Sequence, residues 1–191
     1  MVLTVSGVEL ESIRSKPEAA AATVSTMNEE PLRMVILTEE RSGATAAERF
    51  AEYAASRTEL ETDIIDLSLA CLPEVPRDGS AVRDLAPWLA DADAFVVVTA
   101  EINRGYSGSV KNAIDCFAAE WRAKPVGFVA YGAPTGGRLA VEQLRSVFGG
   151  LHAMTVPDVV GDPFRVEDAE RMTNQLVWWG RALRAARPYT S

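Results

Sequence analysis

Histidine is almost missing from this sequence, and cysteine is nearly as scarce: His152 stands alone, and Cys71 and Cys116 are the only two thiols. A Ser-His-Asp triad or a multi-histidine zinc site therefore has little to draw on, so no metal site and no acid-base-nucleophile set is expected. Two distant cysteines cannot form a disulfide scaffold either, and both read as ordinary small apolar residues. The chain also lacks any apolar run approaching the eighteen or so residues that cross a bilayer. Its first residues, MVLTVSGVELE, lack the basic start and apolar centre of a secretory signal. Basic residues are outnumbered, leaving a formal charge of −8, whereas a nucleic-acid surface needs clustered Lys and Arg to displace counterions. The expectation is a soluble, cytoplasmic protein that binds neither nucleic acid nor membrane.

What is present is enough apolar material for one full core: 48% of the 191 residues are hydrophobic. Residues 1–33 differ, being rich in Ala, Glu, Ser and Thr with only short apolar groups, and read as a disordered extension. Residues 34–191 read as one domain. Strand-like runs begin at Met34 (MVILT), Thr62 (TDIIDLS), Ala94 (AFVVVT), Val126 (VGFVAY) and Met154 (MTVPDVV), and AFVVVT is continuously apolar, as a strand covered on both faces requires. Between them lie helical faces: Ala47, Phe50, Ala51 and Ala54; then Val110, Ala113, Ile114, Phe117 and Trp121; then Ala140, Leu144, Val147, Phe148 and Leu151. A weaker helix spans residues 80–89, and a long one, residues 165–186, aligns Ala169, Met172, Leu176, Trp179 and Leu183. Trp178 falls outside that stripe, and is either partly exposed or part of a subunit interface. Strands alternating with helices imply a three-layer α/β sandwich, and right-handed crossovers favour a parallel five-stranded sheet in the order 2-1-3-4-5.

In such a sheet ligands bind beyond the carboxyl ends of the strands. Two loops there stand out. AEINRGYSGSVKNAID, residues 100–115, leaves the third strand and enters a helix; YGAPTGGR, residues 131–138, does the same after the fourth. Gly132, Gly136 and Gly137 either let the backbone approach a planar ring or simply end a strand and start a helix. Lys111 and Asp115 lie four apart and read as an exposed pair. Arg104 is divided between a ligand phosphate and solvent, Tyr106 between the cleft and a neighbouring subunit.

Taken together, these segments resemble the NADPH-dependent FMN reductase family of flavodoxin-like flavoproteins. EINRGYSGSVKNAID is similar to the family's P-E-Y-N, a glycine or proline loop, then L-K-N-A-I-D; KPVGFVAYGAPTGGRLAVEQLR is similar to its K-P-V strand, glycine-rich flavin loop and A-x-x-Q-L-R helix. The resemblance implies an FMN cofactor and NADPH or NADH as donor, with hydride passing through flavin N5 to free flavin, a quinone or another small electron acceptor. No catalytic side chain is required, because the flavin carries the chemistry. It further implies that Arg41, Ser42, Gly43 and Thr45 receive the FMN phosphate. Ala100, Glu101, Ile102, Asn103 and Arg104 would border the ring and ribityl chain, with Tyr131, Gly132, Ala133, Thr135, Gly136 and Gly137 at the pyrimidine edge. A homodimer or homotetramer follows by the same resemblance, as does a flavin-dependent monooxygenase as partner.

The departures from the pattern are specific. Where the family's phosphate loop reads G-S-x-R, this chain reads TEERSGATA, so Thr38 and Glu39 stand for glycine and serine, and Glu40 follows. Either both glutamates point to solvent while Arg41 holds the phosphate, or FMN is weakly held, exchanged or absent. Ile102 replaces an aromatic residue and Ala100 a proline. The second functional reading is accordingly a flavodoxin-like binding or accessory protein with a degraded phosphate site.

Overall fold

β1 (Leu32–Thr38), β2 (Leu60–Asp66), β3 (Ala94–Ala100), β4 (Pro125–Tyr131) and β5 (Met154–Val160) form one sheet in the order β2-β1-β3-β4-β5, every neighbouring pair parallel. The computed structural model describes residues 30–39, 44–74, 78–132 and 134–187, the side chains of residues 44 and 45 excepted. Most of the expected extension, residues 1–29, lies outside these. The order matches the expectation, and the first strand starts two residues earlier than its apolar run suggested. Leu32 is fully buried and pairs with Leu60, also two residues before the expected start of the second strand.

Among the described residues five helices cover the sheet: α1 (Ala44–Ala55), α2 (Ser80–Asp91), α3 (Gly108–Cys116), α4 (Arg138–Gly150) and α5 (Val166–Ala186). Because side chains alternate along a strand, each central strand feeds two cores. Val35, Leu37, Phe95, Val97 and Phe128 pack with Val82 and Leu89 of α2, Val110 and Ile114 of α3, and Leu144 and Phe148 of α4. Met34, Ile36, Val96, Val98 and Val129 pack with Phe50 of α1 and with Met172 and Leu176 of α5. Two-sided burial is thus the physical cause of the unbroken apolar runs.

α3 is shorter than its periodicity suggested. It ends at Cys116, yet Phe117 and Trp121 are still buried in the turns beyond it. Trp121 lies edge-on to Phe95 and Phe148, with ring centroids 4.5 and 5.4 Å away, and donates its indole N–H to the carbonyl of Ile114 at 3.1 Å. Burial of a large aromatic with a satisfied polar end explains why helical spacing outlasts the helix. On α5, Trp178 is 64% exposed while Trp179 packs partly against the second core. No helix among the described residues is long and apolar enough to cross a membrane.

Two buried charges mark the amino edge of the sheet. Asp93 accepts from the backbone N–H of Arg33 at 3.1 Å and from the guanidinium of Arg187 at 2.6 Å. Lys124 donates to the carbonyls of Leu89 and Ala90, both at 2.6 Å, where the last turn of α2 presents unpaired acceptors. Burial, and after it the neighbouring Arg187, lowers the Lys124 ammonium to about 8.

Candidate functional site

At the carboxyl edge, β1, β3 and β4 end side by side, and the loops that follow them meet. After β3 the chain makes a tight turn in which the N–H of Ile102 donates to the carbonyl of Gly105 at 2.8 Å, and the N–H of Gly105 returns to Ile102 at 2.9 Å. Its central residues, Asn103 and Arg104, have φ of 48° and 70°. Positive φ at both centres is the geometry of a mirror-image hairpin turn, which asparagine tolerates and arginine adopts only under constraint. The constraint is visible: Gln143 of α4 donates to the carbonyl of Arg104 at 2.9 Å. Ser107 then caps α3, accepting from the N–H of Val110 at 3.3 Å.

The β4–α4 loop needs glycine for a steric reason at one position above all. Gly137 has φ of 84°, and a Cβ there would sit 2.5 Å from Cβ of Ala130 and 2.9 Å from the backbone N of Tyr131. Gly132 and Gly136 also have positive φ, of 79° and 64°, without such crowding. Close backbone approach therefore demands glycine at Gly137, and the turn's positive φ favours it at Gly132 and Gly136.

Glu101 ties the two loops together. Its N–H donates to the carbonyl of Tyr131 at 2.9 Å, and its side chain is only 8% exposed. One carboxylate oxygen accepts from the N–H of Leu139 at 3.1 Å and from the Thr135 hydroxyl. A carboxylate on the first turn of α4 satisfies an orphan donor and opposes the positive helix end. The side chain expected at a ring contact is thus turned into the protein, where it acts on loop geometry. Nothing local signals this, since Glu101 and Leu139 lie 38 residues apart.

The remaining expected residues are placed unevenly. Ile102 is 53% exposed, and Asn103 and Arg104 are exposed beside it. Thr135 is exposed, while Ala100 and Tyr131 are half-buried at the strand ends. Arg41, Ser42, Gly43 and Ala133 lie outside the described residues, as do Glu40 and the side chain of Thr45. Tyr106 is half-buried against the first core, so it lines the interior more than the cleft. Lys111 and Asp115 form the expected pair, at 2.6 Å, and that contact raises the Lys111 ammonium above its usual range. Cys71 is exposed, Cys116 is half-buried with its thiol 4.0 Å from the side-chain oxygen of Asn112, His152 is exposed, and no acid-rich or histidine cluster among the described residues could hold a metal.

Of the two alternatives open for the glutamates, pointing to solvent does not describe Glu39: its carboxylate turns across the sheet edge, accepting from the hydroxyl of Ser109 on α3 and, at 3.4 Å, from that of Thr99 on β3. Two hydroxyls that no local pattern marked as partners draw it inward. Beside it, the hydroxyl of Thr38 is buried with no hydrogen-bond partner. Next to Ser109 an open groove of about 370 Å³ runs between the β2–α2 connection and the first turn of α3, lined by Leu67, Ser68, Cys71, Leu72, Gly108 and Asn112.

The edge therefore suits a flat polar heterocycle at its β3–β4 end, where glycine backbone and an exposed apolar side chain meet. Its β1 end is less suited to an anion, because a carboxylate already occupies the hydroxyl donors there.

Comparison with known proteins agrees with this architecture. An NAD(P)H-dependent FMN reductase of Schizosaccharomyces pombe is 44% identical over 69 residues, covering 36% of this chain and 34% of that protein. A second, of Saccharomyces cerevisiae, is 44% identical over 59 residues, covering 31% and 30%. The matched stretch thus spans about a third of these curated relatives. Among solved structures, an oxidoreductase from Corynebacterium diphtheriae superposes with a TM-score of 0.63 at 18% identity, covering 81% of this chain and 97% of that one. The flavoenzyme NAD(P)H:(acceptor) oxidoreductase of Paracoccus denitrificans gives 0.58 at 20% identity, covering 79% and 93%; at such identities the likeness is one of fold. The model of the NADPH-dependent FMN reductase family matches residues 36–165, most of the folded domain, and the chain belongs to that family.

Proposed function

We propose that this chain is an FMN-dependent NAD(P)H oxidoreductase that reduces flavin, a quinone or another small acceptor. The observation that carries the reading is the Glu101 clasp, which joins the β3–α3 and β4–α4 loops into one wall at the carboxyl edge of a family member's sheet. When bound, the flavin would supply the chemistry, accepting hydride from a nicotinamide and passing electrons to the acceptor. The chain's own residues position it. Ala100, Ile102, Asn103 and Arg104 would flank the ring and ribityl chain, the exposed Ile102 offering apolar surface to a flat face. Tyr131, Gly132, Ala133, Thr135, Gly136 and Gly137 would meet the pyrimidine edge, with no side chain at the glycines to hold the ring away. Arg41, Ser42, Gly43 and Thr45 would receive the phosphate.

The exposed Trp178 supports assembly as a homodimer or homotetramer, because aromatic anchors are enriched at interfaces. A cytoplasmic setting and a flavin-dependent monooxygenase as recipient of the reduced flavin complete the proposal. The inward Glu39 favours a second reading, an accessory flavodoxin-like protein that has lost firm phosphate binding. Absorbance over roughly 350–500 nm with added FMN, and oxidation of NADPH or NADH in its presence, separate the two. A shifted flavin spectrum with nicotinamide oxidation above the free-flavin background is expected. A flavin spectrum that the protein does not perturb, with no oxidation, would refute the enzyme.

A further inference from the structure

Glu39 is the first residue beyond β1 and stands where that strand meets β3 and α3. Its two carboxylate oxygens engage Ser109 and Thr99, the latter fully buried, and among the described residues it forms no ion pair. The neighbouring Thr38 hydroxyl is 4% exposed at residue level and unpartnered. An ionised carboxylate is an acceptor only. It can take hydrogen bonds from the hydroxyls of a polyol, but has none to give a phosphate, which it also repels. By engaging Ser109 and Thr99 it further removes two donors that an anion at this edge would otherwise use.

We propose that Glu39 sets the flavin form taken at this edge, favouring the phosphate-free ribityl flavin over its 5′-phosphate ester. This rests on the flavin reading above and changes which flavin the site prefers, the Glu39 charge opposing the phosphate contacts proposed for Arg41, Ser42, Gly43 and Thr45. The ribityl hydroxyls supply donors to the carboxylate, and the unpartnered Thr38 hydroxyl has one proton to donate and lone pairs to accept with. A terminal phosphate in the same place meets a like charge with its donors already engaged. Glu39 is thus a specificity-determining residue, and the reduced product released would be the neutral flavin.

Titration of the flavin-free protein with riboflavin and with FMN, followed by flavin fluorescence at moderate salt, tests this in the wild type, Glu39→Gln and Glu39→Ser. Wild type is expected to bind riboflavin more tightly than FMN by about tenfold, since each tenfold corresponds to 1.4 kcal/mol, less than one partly screened pair of like charges supplies. Both variants should tighten FMN by about tenfold while leaving riboflavin within about threefold. Thermal melts confirm that each variant is folded. Tighter binding of FMN than riboflavin in the wild type, or an FMN-to-riboflavin ratio that neither variant moves, overturns the inference while leaving flavin binding intact. Failure of both flavins to bind all three folded proteins at about 100 μM, where even weak sites fill, overturns the flavin reading itself and this one with it.

Discussion

Glu101→Ala removes one carboxylate from between two loops, and the structure allows its cost to be worked out. The Leu139 N–H on the first turn of α4 loses its acceptor, as does the Thr135 hydroxyl. Loss of an N-terminal cap costs about 1 kcal/mol, within a range of roughly 0.5–2. Loss of negative charge at the helix start adds about 0.5 kcal/mol. Thr135 is exposed, so water replaces its partner at little cost, whereas half-buried Leu139 gains no such relief. Against these, the variant no longer buries a carboxylate that is only 8% exposed. The two losses add to about 1.5 kcal/mol, an upper figure because relief of that burial offsets part of it. At a slope of about 2 kcal/mol per molar, that lowers the urea midpoint by somewhat under about 1 M. Glu101→Gln keeps an oxygen for the Leu139 N–H and should recover about two-thirds of the loss, since only the roughly 0.5 kcal/mol from charge against the helix end is missing. Amide hydrogen exchange at Leu139 should quicken in the alanine variant and much less in glutamine. An alanine variant within about 0.5 kcal/mol of wild type, or a glutamine variant as unstable as alanine, would refute the clasp.

Gly137→Ala should cost about 3 kcal/mol or prevent folding, because its Cβ would meet Ala130 at 2.5 Å, whereas Gly136→Ala, with positive φ but nothing within 4 Å, should cost only about 1 kcal/mol in the same urea assay. Equal costs would show that φ alone, and not crowding, demands glycine there. Lys124 releases its proton at about 8 when folded and near 10.5 when unfolded, so over that window the unfolded chain binds more protons and stability rises with pH. The stability of wild type relative to Lys124→Met should therefore improve by roughly 2–3 kcal/mol between pH 7 and about 10.5, and a difference that stays flat would show that the buried ammonium is not strained.

The central strands β1, β3 and β4 were legible because each lies between two helical layers, and two-sided burial leaves its mark as an unbroken apolar run, whereas the edge strands β2 and β5 are only partly apolar. Their order followed from alternation with helices and the handedness of crossovers. The β4–α4 loop was legible for a related reason: positive φ at Gly132, Gly136 and Gly137 is a local backbone demand that one residue type meets, whereas after β3 the positive φ falls on Asn103 and Arg104. Helical spacing misled at Phe117 and Trp121, which are buried beyond the end of α3, since periodicity reports burial and only indirectly the helix.

Sequence alone thus determined the α/β framework, because that depends on burial patterns and backbone preferences encoded within short segments, and two ordered motifs carried the resemblance to the family. The direction of two carboxylates was decided only by the tertiary structure. Glu101 turns to α4 because the fold brings Leu139 to it across 38 residues, and Glu39 turns inward because Thr99 and Ser109 arrive from 60 and 70 residues away. A hydrogen-bonding side chain follows its partners, and partners separated by that much chain meet only when β1, β3 and β4 are side by side.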